Sequence, residues 1–177
     1  MKDRLITERL ILRKLQEDDL QSVFAWASDP EVARYLTWNP HPSMEVTQSV
    51  LNVWLKDYEN PDVYRYGITL KETGELIGMI DVVGYHHDDP VIGYASARKY
   101  WNNGYKTEAL RALKNELLEK FAVIVIEADV NNIGSNRVIQ KNGFELVTTY
   151  EKVMKKDGIP TMINSYRYYK KEGQENG

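Results

Sequence analysis

The chain has no cysteine, so disulfides, thiolate metal sites and a thiol nucleophile are excluded, in agreement with a reducing compartment. Long apolar runs are missing too. The longest, Phe121 to Ile126, is far too short to cross a bilayer, and the opening MKDRLITERL lacks the uninterrupted apolar segment of a secretion signal. A cytoplasmic protein with no membrane partner is expected. Nor is there a basic surplus: 23 Lys and Arg stand against 26 Asp and Glu, a formal net charge of -3. Phosphate-backbone binding normally rests on such a surplus, so no nucleic-acid partner is expected, whereas a cationic substrate is permitted. Histidine is scarce. Of His41, His86 and His87, the adjacent pair would point to opposite faces of a strand, and no metal site is expected.

What is present suffices for a sizeable core: 177 residues, 42% hydrophobic, with four Trp and twelve Tyr and neither linker nor repeat. One domain over residues 1–177 is expected, with 168–177 as a frayed tail. Arg9 to Leu15 alternates, placing Leu10 and Leu12 on one face of a half-buried strand. Leu20, Val23, Phe24 and Ala27 then recur at helical spacing after an acidic turn, and Asp29 before Pro30 forms the cap and first residue of a second short helix. Ser43 caps a third helix that turns Val50, Leu51, Trp54, Leu55 and Tyr58 inward.

Val63 to Leu70 and Leu76 to Tyr85 form a hairpin around Glu72, Thr73 and Gly74. The polar HHDDP segment separates it from the strand Val91 to Ala97. A helix over Tyr105 to Phe121 carries Leu110, Leu113, Leu117 and Phe121 in one apolar stripe, with Arg111, Lys114 and Glu119 on its wet side. Ala122 to Val130 has the continuous apolar pattern of a strand covered on both faces. Asn131 and Asn132 lead into a helix over Ser135 to Lys141, ended by Asn142 and Gly143. Phe144 to Met154 and Met162 to Tyr169 form a last strand pair around the KKDG turn.

One segment carries the chemistry. WNNGYKTEA, Trp101 to Ala109, joins the strand VIGYASA to the strongly helical LRALKNELLEKF. Gly104 at its centre lets backbone approach a ligand closely, and the following helix aims unpaired N–H groups and its positive dipole end at the same point. The pattern suits an anion such as a diphosphate. A plain strand-to-helix turn also carries Asn and Gly, so the loop alone leaves that alternative open.

The order of these elements, with TERLILRKL, KETGELIG, IGY, YWNNGYKTEAL and NNIGSNRVIQKNGFE in sequence, resembles the GNAT superfamily of acetyl-CoA-dependent N-acetyltransferases. Within it, the chain is similar to the Rim-type branch that acetylates ribosomal-protein N-termini. The resemblance spans Thr7 to about Glu145. It implies an α+β, three-layer fold: a mixed, mostly antiparallel central sheet flanked by helices, in which a splayed strand pair forms the acyl-CoA cleft. The family's cradle runs Gln or Arg, two residues, Gly, one residue, then Gly or Ala. Here Trp101, Gly104 and Lys106 fill those positions, so only the glycine is kept. Lys106 either extends along the diphosphate as a cationic contact or points into solvent.

By the same resemblance, acetyl-CoA is the co-substrate, held by Ala97, Arg98, Asn102, Asn103, Gly104, Tyr105, Lys106 and Thr107, and further on by Asn132 and Ser135. The pantetheine arm would enter where the strand ending at Ala97 splays from the strand beginning at Ala122, and the strand before the cradle normally carries a bulge there. Gly93, Ala95 and Ala97 fit either backbone approach to the ligand or plain packing. Asn132 and Ser135 match the family's Asn, two residues, Ser spacing. The implied roles are Asn132 on pantetheine and Ser135 as acid at the sulfur, while helix capping by both residues is the other reading.

Some relatives place a glutamate as base just ahead of IGY, where this chain has Val91. Glu127, inside an apolar strand, is the physical replacement, since a carboxylate there must be paired, solvated in the cleft or raised in pKa. An arginine partner, Asp81, His86, His87 and direct proton loss to water stay open beside it. Tyr35, Trp38, Trp54 and Tyr58 either line the acceptor entrance or pack the core.

The leading function is acetyl transfer from acetyl-CoA to a primary amine in a ternary complex. The acceptor is a protein N-terminus, as in ribosomal proteins, or a small amine such as a polyamine or amino sugar received near Asp88 and Asp89. The alternatives are a non-catalytic acyl-CoA sensor of the same fold and a purely structural protein. The exposed final strands of such folds often pair between subunits, which implies a homodimer.

Overall fold

The computed structural model describes residues 1–173; the last four residues of the expected tail lie outside that range. Arg4–Ile6 (β1) and Leu10–Arg13 (β2) form a hairpin, closed by Thr7 N–H donating to the Leu10 carbonyl at 3.0 Å. Three helices follow: Leu20–Ala27 (α1), entered through a 3-10 turn at Glu17–Asp19, Pro30–Ala33 (α2) and Met44–Asp57 (α3). Both expected caps are made. The Asp29 carboxylate accepts from Glu31 N–H at 3.0 Å, and Ser43 Oγ accepts from Val46 N–H at 3.4 Å.

The chain continues with Arg65–Leu70 (β3), Leu76–His86 (β4), Asp89–Ser96 (β5), Tyr105–Leu117 (α4), Val123–Asp129 (β6), Ile133–Lys141 (α5), Glu145–Val153 (β7) and Pro160–Tyr169 (β8). Together the strands make one eight-stranded sheet in the order β1-β2-β3-β4-β5-β6-β8-β7. Every neighbouring pair is antiparallel except β5 and β6.

The alternation in β2 puts Leu10 and Leu12 on the face covered by α4 and α5, where they pack with Tyr66, Ile80, Leu110, Leu113, Leu117 and Ile139. The opposite face carries Leu76, Met79 and Ala95, buried under Val23 and Trp26 of α1, Val32 of α2 and Leu51 of α3. Helix, sheet, helix is therefore the layering, as expected. It follows from apolar stripes that must each be covered once. Among the described residues no helix is long and apolar enough to cross a membrane.

Several local expectations are corrected. β1 is an element that the sequence pattern does not display, because three residues are too few to show alternation. HHDDP is not a separating segment: β4 runs to His86 and β5 starts at Asp89, leaving a two-residue turn in which His87 takes the left-handed conformation (φ 56°). His86 and His87 consequently do not diverge as strand neighbours, and their rings meet edge to face at 4.9 Å. The α4 helix ends at Leu117, not Phe121.

Lys114 is not on a wet face. It is buried, and its Nζ donates to the Asn142 carbonyl at 2.8 Å, satisfying the C-terminal end of α5. Tyr168 and Tyr169 are not part of a frayed tail but close β8, with Tyr168 packed on Phe144. Finally, the bulge lies one strand over. The β4–β5 register shifts between Val82, opposite Ile92, and Gly84, opposite Val91, so the extra residue is Val83 of β4.

Candidate active site

The end of β5 passes through a 3-10 turn at Arg98–Tyr100 into the loop Trp101–Gly104 and then α4. Asn102 and Gly104 both take left-handed backbone, with φ 62° and 78°. At Gly104 a Cβ would also lie 3.3 Å from the Arg9 guanidinium, so glycine suits the position twice over. The first bond inside α4 runs from Glu108 N–H to the Gly104 carbonyl at 3.1 Å. The N–H groups of Tyr105, Lys106 and Thr107 therefore have no intrahelical acceptor. α2, α3 and α5 each begin on a side-chain cap, whereas α4 begins on a glycine that has none to offer.

The loop is held from outside. Trp101 Nε1 donates to the Ser96 carbonyl at 2.9 Å, and the Asn103 amide turns back to the Tyr100 and Trp101 carbonyls. Arg9, from the TERL motif, donates through Nη1 to the Asn103 carbonyl and through Nε to Glu108, both at 2.8 Å. The Glu108 carboxylate also accepts from Arg9 N–H at 2.7 Å and Thr7 Oγ at 2.6 Å. Burial pushes the Glu108 carboxyl up, but the Thr7 and Arg9 bonds outweigh it and hold the group below its ordinary value. Arg9 thus neutralises an acid that would otherwise repel an anion at the helix end. Sequence reasoning used TERL as a family mark and missed this clamp, whose partners are 99 residues apart.

Beneath the loop lies a cavity of about 1130 Å³. Its walls are β5 and β6, which share only two register pairs, Val91 with Val125 and Ile92 with Ile126, before they part. Among the described residues the β6-facing edge of Gly93 to Ser96 has no strand partner beyond that point, which, apart from the Ser96 carbonyl taken by Trp101, leaves backbone donors and acceptors open to the gap. The space beside Gly93 is filled from the bulge: a Cβ there would lie 2.7 Å from Val83 Cγ1. Val83 thus packs on Gly93, Ala95 belongs to the core under α1–α3, and both residues also line the cavity.

Asn102, Gly104, Tyr105, Lys106, Thr107, Glu127, Asn132 and Ser135 all line this one cavity. Arg98 does not. It is exposed and its Nε donates to Asp29 at 3.1 Å, tying the 3-10 turn to α2. Ala97 sits at the strand end, its N–H bonded to the Ile77 carbonyl at 2.8 Å. Lys106 does not point into solvent. Its ammonium lies 5.1 Å from the Trp101 ring centre and 5.4 Å from that of Tyr94, and burial alone lowers it to about 8.

Glu127 is the first residue of β6 beyond the parting, and its partners are hydroxyls. Tyr150 donates to both oxygens at 3.0 and 2.9 Å, and Ser165 donates to one at 3.2 Å. The arginine alternative is not realised, since Arg167 stops at Ser165 Oγ, 2.7 Å away. Burial first, then the bond to Glu127, pushes the Tyr150 phenol up to about 12. Asn132 is the cap of α5: its Oδ1 accepts from Ser135 N–H at 3.2 Å, while Ser135 Oγ caps nothing and meets Tyr94 Oη at 2.6 Å. Tyr94 was not singled out in the sequence, where it is merely the last letter of IGY.

The remaining candidates divide. Asp81 lines the cavity but is engaged by Arg65 at 3.2 Å, and Arg65 also reaches Asp57 at 2.8 Å. Burial raises the Asp81 carboxyl to about 6 against the opposing pull of Arg65. Tyr35, Trp38, Trp54 and His86 line the cavity, whereas Tyr58 bonds the Leu15 and Arg65 backbone and His87, Asp88 and Asp89 lie outside it. Lys156, in the β7–β8 turn, donates to the Ala33 and Arg34 carbonyls and so draws that turn against α2. Among the described residues no group of three or more His, Asp or Glu is placed to hold a metal ion.

A family model described as an acetyltransferase (GNAT) domain matches residues 9–145. The chain is 31% identical over 173 residues to the uncharacterized N-acetyltransferase YoaA of Bacillus subtilis (strain 168), covering 94% of this chain and 96% of that one. Its fold is similar to that of the acetyltransferase (GNAT family) from Bacillus anthracis, with a TM-score of 0.82 at 24% identity over 94% of this chain and 98% of that one. It is also similar to RimL, a ribosomal L7/L12 alpha-N-protein acetyltransferase in complex with coenzyme A, with a TM-score of 0.82 at 19% identity over 94% and 97% of the two chains.

Proposed function

Because the chain belongs to the acetyltransferase (GNAT) family and is an acetyl-CoA-dependent N-acetyltransferase, we propose that thioester and amine meet in the gap between β5 and β6, entering from opposite ends of the cavity. The observation that carries this is the parting of β5 and β6 after Ile92 and Ile126, directly below an uncapped helix N-terminus. The diphosphate lies on the N–H groups of Tyr105, Lys106 and Thr107, with Asn102 and Asn103 completing the loop. Lys106 swings out from Trp101 and Tyr94 to meet it. Ala97, whose N–H and carbonyl are held by Ile77 and Tyr100, shapes the strand end, and Arg98 offers its main-chain N–H there. Asn132, whose Oδ1 is spent on the cap, offers its amide N–H groups to pantetheine.

The reaction needs few side chains. The amine nitrogen attacks the thioester carbonyl, an oxyanion forms, and collapse breaks the C–S bond with the electron pair leaving on sulfur. An open backbone N–H of β5 aimed at that oxyanion is worth about 3 kcal/mol. Glu127 is the base: it takes the proton of the attacking amine, and Tyr150 and Ser165 keep its carboxylate oriented. Ser135 is the acid, its hydroxyl sharing a proton with the departing sulfur.

The acceptor is a protein N-terminus, as RimL's name states of that enzyme, or a small amine. Glu31 on the cavity wall is paired with Arg34 at 3.8 Å, and Lys106, Arg137, Lys141 and Lys152 line the same space as Glu127 and Asp129, so the charge of the wall selects neither class. Thiol release from acetyl-CoA, followed against peptides with free N-termini, polyamines and amino sugars, tests the proposal. Amine-dependent release with at least one class is expected. Coenzyme binding without release against any of them would leave only a sensor.

A further inference from the structure

Tyr94 carries none of the roles assigned above, yet it makes the shortest contact to the residue named there as the acid. We propose that Tyr94 is a positioning residue that fixes the direction of the Ser135 hydroxyl proton, turning it toward the sulfur of the bound thioester. The inference rests on Ser135 acting at the sulfur. Tyr94 follows Gly93 on the stretch of β5 that has left β6, and its side chain crosses the gap to α5. Its Oη lies 2.6 Å from Ser135 Oγ and 3.4 Å from the Ser135 carbonyl, so only the first is a strong bond.

Two hydroxyls that share one bond must divide the roles of donor and acceptor. A phenol is a stronger acid than an aliphatic alcohol, so Tyr94 donates and Ser135 Oγ accepts. The Ser135 proton is then excluded from that side. Ser135 N–H is itself held by Asn132 Oδ1 at 3.2 Å, which fixes the residue in the first turn of α5 and leaves its proton the open side, the cavity. Without Tyr94, a serine in this position has an easy alternative, bonding back to a carbonyl one turn earlier. Burial pushes the Tyr94 phenol well above its ordinary value, so it keeps its proton throughout the working pH range.

Direction matters here more than acidity. Thiols ionise near pH 8.5, far below a serine hydroxyl, so the sulfur leaves with its electron pair and needs a well-aimed hydrogen bond more than a completed proton transfer. Ser135 keeps its proton and lends it, and the thiolate is protonated by water after release. The attacking nitrogen's proton leaves through Glu127, which balances the step.

The test is kcat and KM for wild type, Tyr94→Phe, Ser135→Ala and the double variant, with thermal unfolding alongside to verify that each is folded. Ser135→Ala should lower kcat about tenfold and Tyr94→Phe about fivefold, as expected for neutral hydrogen bonds, with KM for acetyl-CoA within about twofold in both. In the Ser135→Ala background, Tyr94→Phe should cost nothing more. Tyr94→Phe with wild-type kcat overturns the proposal, as does a fivefold loss that persists undiminished after Ser135→Ala. Wild-type kcat in Ser135→Ala is a separate failure: it removes Ser135 from the sulfur, and the proposal with it.

Discussion

Glu127→Gln should lower kcat about a hundredfold at neutral pH, the low end of what a positioned general base contributes, with the affinity for acetyl-CoA unchanged. Glutamine keeps the size of the side chain and an oxygen for Tyr150 and Ser165 to donate to, so the loss reports the missing proton acceptor rather than a collapsed site. The deficit should also depend on the acceptor. An α-amino group ionises near pH 8 and an alkyl ammonium near pH 10.4, so below those values the amine arrives charged and the base must strip it. As the pH rises past the amine's own pKa the neutral form is already present, and the deficit should shrink to the cost of losing the acceptor for the one proton the nitrogen sheds after attack. Rate against pH for both enzymes checks this. A variant indistinguishable from wild type would mean that water carries the proton unaided.

Lys106→Glu should weaken acetyl-CoA binding by about a hundredfold, since it exchanges attraction for repulsion within a few ångströms of a diphosphate in a partly desolvated cleft. The pH dependence of the unaltered enzyme gives a second, subtler signature. In the free protein burial holds the Lys106 ammonium near 8, and a bound diphosphate favours the charged form and raises it. Below pH 7 the group is charged in both states and binding takes up no proton. Above 8 the free form is neutral, so binding must recruit a proton and affinity falls. Between pH 7 and pH 9 the loss should approach about tenfold if the bound lysine returns to its ordinary range. Lys106→Met should bind more weakly at pH 7 yet show no such slope. Calorimetric titration at the two pH values decides it: a flat wild-type profile, or full affinity in Lys106→Glu, would leave Lys106 away from the diphosphate.

Features set by neighbours in sequence were legible, and features set by neighbours in space were not. Asp29 before Pro30, Ser43 ahead of α3 and the stripe of Leu110, Leu113 and Leu117 each declare themselves within a few residues. The same holds for β6, whose unbroken apolar run requires cover on both faces. Lys114 looked solvated because a lysine beside a stripe usually is; only the packing of α5 across α4 supplies the carbonyl that takes it in. The bulge at Val83 has Gly84 beside it, but a lone glycine inside a strand does not fix a bulge, which is set by what Ile92 and Val91 pair with.

The site divides in the same way. The cradle could be read because Gly104 and the start of α4 are contiguous. The Arg9–Glu108 clamp and the Tyr94–Ser135 bond join residues 99 and 41 positions apart, and no spacing announces them. Glu127 stood out as a charge in an apolar strand, but that its partners would be Tyr150 and Ser165 rather than an arginine depended on the β6–β8 register that sets Glu127 opposite Ser165.

The most direct test of the central claim is a crystal structure of the protein with acetyl-CoA bound. The expected result has diphosphate oxygens about 3 Å from the main-chain nitrogens of Tyr105, Lys106 and Thr107, the pantetheine arm between β5 and β6, and the thioester sulfur facing Ser135. Coenzyme seated elsewhere, with the turn at Gly104 empty or filled by its neighbours' side chains, would contradict it.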